Sequence, residues 1–126
     1  MYKKKLSECG FIYEAVEDEI THKPILYVTS FTNQTVKRVS VPSLAAGIRQ
    51  RTFAGCNKVE EVHIEDGVKY LDEYCFYDCK NLDYIKFGQG ITTVNAFMSN
   101  SSKIVGLHFP NNITLIKQNA FINCKN

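Results

Sequence analysis

The 126-residue sequence has no tryptophan, only three prolines, and no uninterrupted apolar run of the length a membrane-spanning helix needs. Lys3-Lys4-Lys5 is its one basic run. The stretch after it, LSECGFIYEAVEDE, carries Glu8 and Glu14 where a secretion signal needs an unbroken apolar core. As written, the chain is therefore expected in the cytoplasm; as a piece of a longer secreted protein it would be extracellular or on the cell surface. Charge of one sign is also scarce. A formal net charge of +2 is too small for a nucleic-acid partner, and three lysines near a terminus read as a solvated tail. GQG, residues 88–90, lacks the Lys and Ser/Thr that complete a phosphate loop. No Ser, His and Asp stand in a recognisable catalytic context. The acidic pairs Glu60-Glu61, Glu65-Asp66 and Asp72-Glu73 read as solvation of strands and turns. No enzyme activity and no cofactor are expected.

The chain does contain a repeat, beside an ordinary globular balance of 44% hydrophobic and 22% charged residues. Phe53, Phe76, Phe97 and Phe121 are 23, 21 and 24 residues apart. Three residues after each stand Cys56, Cys79, Asn100 and Cys124. Ahead of them run Val41, Ile64, Phe87 and Phe109, then Val39, Val62, Ile85 and Leu107, then Val36, Val59, Leu82 and Ile104. Four units align: residues 36–58, 59–81, 82–103 and 104–126. The third is two residues short between Val94 and Ala96.

The spacing has a direct physical reading. Apolar-free-apolar is period two and marks a short strand with one buried face. PS, DG, GQG and PNN follow the strands as turn signals. The stretch up to each Phe is too short for a long helix and suits one turn of 3₁₀ or α-helix. A single unit cannot bury its apolar side, so the units must stack, placing like residues above one another in ladders.

The shared word resembles the leucine-rich repeat, and most closely its BspA-like subclass. AFINC and GLHFPNNITLI carry the resemblance, which covers about residues 36–126. It implies an α/β repeat solenoid: a short right-handed horseshoe with a parallel β-sheet on one face and short helical turns on the other. Such repeats are often surface or secreted adhesion modules in bacteria and protists. Residues 1–35 do not repeat cleanly. Phe11–Val16 and Ile25–Phe31 read as two strands joined by a polar loop with Pro24, a β-hairpin cap behind a short tail. The whole is expected to be one domain.

Five cysteines leave at least one unpaired within the chain. Cys75 and Cys79 form C-x-x-x-C, but the other cysteines lie in different units. Cys79 falls in the ladder slot and Cys75 in the small-residue slot, so both are assigned to core packing and no metal site is expected. A bridge between Cys56 and Cys79 is conceivable by stacking, although parallel ladder side chains do not obviously meet disulfide geometry. Cys9 is the least constrained. His22 has no evident partner. His63 and His108 are expected to point outward with Lys86 between them, too far apart to share a metal ion.

Alternation places Arg38, Ser40, Glu61, His63, Glu65, Tyr84, Lys86 and His108 on the outer face of the strands, the default binding surface of a solenoid. Tyr and Arg are common anchors of protein interfaces. The last unit is expected to leave Phe109, Ile113, Ile116 and Phe121 at an open apolar end. A longer array, an end-to-end homodimer or a docked partner would each cover it. The favoured function is a protein–protein interaction module working through the strand face or that end. The alternatives are a small stand-alone intracellular effector or inhibitor that blocks a site on a partner protein, or a structural fragment of a longer surface adhesin.

Overall fold

The outward and inward alternation of each unit is realised as a short strand. The computed structural model describes residues 3–6, 10–32, 35–94, 106–111, 113 and 115–116. Cys9, Phe97, Asn100, Phe121 and Cys124 lie outside these residues, as does the shortened stretch of unit three. The strands β4 (Arg38–Val41), β6 (Glu61–Ile64), β8 (Tyr84–Lys86) and β10 (Gly106–His108) form a parallel four-stranded sheet in the order β10-β8-β6-β4. Val39 pairs with Val62, Val62 with Ile85 and Ile85 with Leu107. The expected ladder is thus the observed register.

Each unit also contains a second, two-residue strand: β5 (Gly47–Ile48), β7 (Tyr70–Leu71), β9 (Thr93–Val94) and β11 (Leu115–Ile116). The N-terminal hairpin joins this second row. Strand β1 (Lys3–Leu6) pairs antiparallel with β2 (Phe11–Glu17) and β2 with β3 (Pro24–Phe31), and β3 then runs parallel to β5. The resulting sheet has the order β1-β2-β3-β5-β7, while β9 and β11 pair separately. Between the two rows lies the core, including Val41, Ile48, Phe53, Val62, Ile64, Leu71, Phe76 and Ile85. Phe53 stacks on Phe76 at 5.0 Å between centroids and 7° between planes. Phe31 and Phe11 of the hairpin pack on Phe53 at 5.1 and 6.2 Å. The hairpin rings thus extend the aromatic stack beyond the first unit.

The expected helical turns are not found in units one and two, and no helix occurs among the described residues. Units one and two instead close by tight turns. Thr52 N–H donates to Arg49 O at 3.2 Å, Ala54 N–H to Arg51 O at 3.1 Å, and Tyr77 N–H to Tyr74 O at 3.1 Å. Arg51 and Tyr74 have φ of 61° and 60°, and Gly55 and Asp78 have φ of 74° and 60°. These are equivalent positions in successive units. A left-handed residue every fourth position stops a right-handed helix from propagating. Amides a helix would use internally also go to the neighbouring unit: Phe53 N–H donates to Cys75 O at 2.8 Å and Gly55 N–H to Tyr77 O at 2.9 Å.

Two substitutions separate packing from backbone conformation. Phe76→Ala empties the middle of the aromatic stack and is expected to cost about 3–5 kcal/mol in urea denaturation. A Cβ at Gly55 meets nothing within 4 Å, so Gly55→Ala tests the left-handed φ alone and is expected to cost about 1 kcal/mol. An equal loss from both would show that the stack is not the dominant packing element.

Candidate binding face

Pairing in register turns single outward residues into rows that cross the sheet. Arg38, Glu61, Tyr84 and Gly106 form one row, and Ser40, His63, Lys86 and His108 the next. Lys86 lies between the two histidines, as alternation requires. Among the eight expected face residues, Arg38, Ser40, Glu65, Lys86 and His108 are exposed, and Glu61, His63 and Tyr84 are half-buried.

The half-buried three are held by their neighbours. The Arg38 guanidinium contacts the Glu61 carboxylate across the strands, and His63 Nε2 lies 3.4 Å from the same Glu61 oxygen. The Glu61 oxygen and His63 Nε2 are shielded from solvent and meet as an ion pair when the imidazole is protonated, not as an aligned hydrogen bond. The His63 ring stands edge-on to Tyr84 at 5.9 Å. On the other side Tyr84 covers Gly106, where an added Cβ would approach its ring carbon Cδ1 to 2.8 Å. Gly106 therefore gives the tyrosine room to lie flat along the sheet.

Beside the line of Ser40, His63, Lys86 and His108 is a depression of about 480 Å³, lined by Ser43, His63, Glu65, Asp66, Lys86 and His108 among others. Its rim is stitched by hydrogen bonds between units. Gly67 N–H donates to Ser43 Oγ at 2.9 Å and Gln89 N–H to Asp66 Oδ1 at 2.9 Å. Glu65 Oε1 accepts from Ser43 N–H at 3.2 Å, so this expected face residue also ties two turns together. Of the expected open-end residues, Phe109 stacks on Phe87 at 5.1 Å, and Ile113 packs partly buried against the core. Ile116 lies on β11, and Phe121 lies outside the described residues.

Sequence reasoning missed the outer face of the second row. Tyr27 and Tyr70 stack there at 6.1 Å, with the Arg49 guanidinium 4.2 Å over Tyr27 and 3.6 Å from Asp72. Burial first, then Asp72, pushes the Tyr27 phenol up from its ordinary value. Two-residue strands carry too little alternation to reveal a face. The parallel pairing of Tyr27 with Gly47 and of Gly47 with Tyr70, which brings the two rings together, has no local sequence signature.

Cys56, Cys75 and Cys79 are buried thiols. The conceived Cys56–Cys79 bridge is therefore absent: Cys79 Sγ instead donates to Phe53 O at 3.0 Å. Among the described residues no three His, Cys, Asp or Glu side chains gather as a metal site would need.

A profile of the BspA type leucine-rich repeat region matches residues 21–126 in six copies. The chain belongs to the BspA-type leucine-rich repeat family. The match begins inside the hairpin, whose strand β3 pairs parallel to β5 as a repeat strand would. A comparison with curated proteins finds no match. Among solved structures, a leucine rich cell surface protein from Faecalibacterium prausnitzii A2-165 is similar over 95% of this chain and 46% of its own, with 13% identity and a TM-score of 0.49. This BspA-type chain thus spans just under half the length of that protein.

The buried thiols predict a pH dependence. Burial pushes Cys79 from 9.0 up to about 12 and raises Cys75 as well. The unfolded chain then loses these protons before the folded one. Stability is full below about pH 9 and falls as pH rises from there toward 12, by up to about 1.4 kcal/mol per pH unit for Cys79. Denaturation of wild type and Cys79→Ala across this range is expected to show a shallower fall for the variant. Parallel curves would mean that the thiol does not carry the effect.

Proposed function

We propose that this chain is an adhesin-like protein-interaction module that engages a partner protein through the outer face of β4, β6, β8 and β10. Membership of the BspA-type repeat family supports a repeat protein that works by binding proteins. The observation that carries the reading to this face is Tyr84. Its ring is half-buried, braced by His63 and laid over Gly106, beside the Arg38–Glu61 pair. A tyrosine already immobilised loses little entropy on binding, and Tyr and Arg dominate interface energetics. Lys86 and His108 extend the face with exposed cationic and polar groups next to the depression. We place this face on a short right-handed horseshoe, with the protein at the cell surface rather than in the cytoplasm. The surface habit of the family favours that location, and the cytoplasmic expectation finds no support in it.

The test is binding to host-surface protein preparations immobilised on a sensor chip, comparing wild type with Tyr84→Ala and Lys86→Glu. Both substituted side chains lie on the outer face, so the thermal midpoint is expected to stay within a few degrees. Loss of Tyr84 is expected to weaken binding about 30-fold, the scale of an interface anchor worth about 2 kcal/mol. Undiminished binding by both variants would move the interface off this face.

A further inference from the structure

The two sheets differ at the hairpin end. In the second row, β3 covers the edge of β5, and β2 and β1 continue outward. In the first row the order ends at β4, and among the described residues no strand pairs with its outer edge. Pairing with β6 uses the main-chain groups of alternate residues: Lys37 O accepts from Glu61 N–H and Val41 O from Glu65 N–H. In a parallel ladder this phase turns the N–H and C=O of Arg38 and Ser40 away from β6, toward the open side.

Along that side runs a groove of about 260 Å³ lined by Phe11, Phe31, Val36, Arg38, Val39 and Ser40. Its floor is apolar, and among the described residues Arg38, 72% exposed, is the one charged residue lining it. The two sheet edges also differ in composition. The outermost strand of the other sheet, β1, reads KKKL, and lysines on an edge strand disfavour pairing with another chain. Strand β4 reads RVSV and carries no such guard beyond Arg38.

We propose that the outer edge of β4 is a strand-addition site. It takes an extended segment of a partner protein that has an aliphatic side chain for the groove and a carboxylate beside Arg38. The unpaired main-chain groups of Arg38 and Ser40 specify an extended backbone as the occupant. The groove admits a side chain from every second residue of it, and the exposed Arg38 guanidinium, which contacts Glu61 through Nε and has five N–H donors in all, can add an acidic neighbour. This site shares Arg38 and Ser40 with the outer face of the sheet but does not depend on Tyr84.

The probe is a fluorescein-labelled synthetic hexapeptide of alternating valine and threonine with an aspartate at each end, followed by fluorescence polarisation. Saturable binding is expected, with slowed amide exchange at Arg38 and Ser40. Ser40→Pro removes an outward N–H that β6 does not use, a change edge strands tolerate, and is expected to weaken binding about tenfold. A peptide N-methylated on alternate amides should bind equally poorly and leaves the protein itself unchanged. Tyr84→Ala should bind the peptide as wild type does, which separates this site from the strand face. Three results would each overturn the proposal: no binding by wild type, equal binding of the methylated peptide, or a doubled solution mass that excludes the peptide, which would make a second copy the occupant.

Discussion

Everything in this molecule depends on one unit lying in register on the next. A unit of about 23 residues has one apolar side and a strand of three or four residues, too little to fold alone. The stack of Phe53 on Phe76, with the hairpin rings on Phe53, fixes the spacing from inside. The parallel ladders fix it from outside. Both constraints require the same residue type at the same place in successive units, which is why the repeat is so visible in the amino-acid string. Sharing a buried row also commits the arcs. Their amides bond to neighbouring units, and the left-handed residues at 51, 55, 74 and 78 let the chain turn tightly enough to do so.

The strand face inherits its organisation from that stacking. Its residues come from different units more than 20 positions apart, and only the register makes them neighbours. Arg38 reaches Glu61, and His63 reaches Tyr84, because the strands that carry them are paired. A slip of one residue would turn every outward side chain into the core. The apolar ladder beneath therefore stabilises the polar face indirectly, by making any other register costly.

Legibility in the sequence follows the same physics. The first strands were readable because alternation and burial agree over three or four residues at Val39–Val41, Val62–Ile64 and Ile85–Phe87. The cysteines were readable as core residues because Cys56 and Cys79 share the slot three after a Phe. The non-helical closure of units one and two was not readable, because positive φ at Arg51 and Tyr74 belongs to residue types with no preference for it. The second row of strands was readable only as isolated apolar positions, Ile48 and Leu71. A two-residue strand has no periodicity, so the Tyr27–Tyr70 stack and the parallel seat of β3 beside β5 were invisible. Glu65 was legible as outward but not as a donor-binding tie between turns, since that role depends on where Ser43 lies.

The N-terminal hairpin and the repeat strands meet with limited material. A repeat with two strand rows presents two edges at its first unit, and one hairpin strand can cover only one of them. Covering the β5 edge lets β3 continue a row whose strands are two residues long and have the fewest main-chain bonds of their own. It also aims Phe11 and Phe31 at Phe53, closing the aromatic stack where water would otherwise reach it. The longer strand β4 already holds four residues in register with β6 and needs the cap less. The same economy that seals the core places the uncovered edge beside an apolar groove, because the rings that close the stack also form the groove floor.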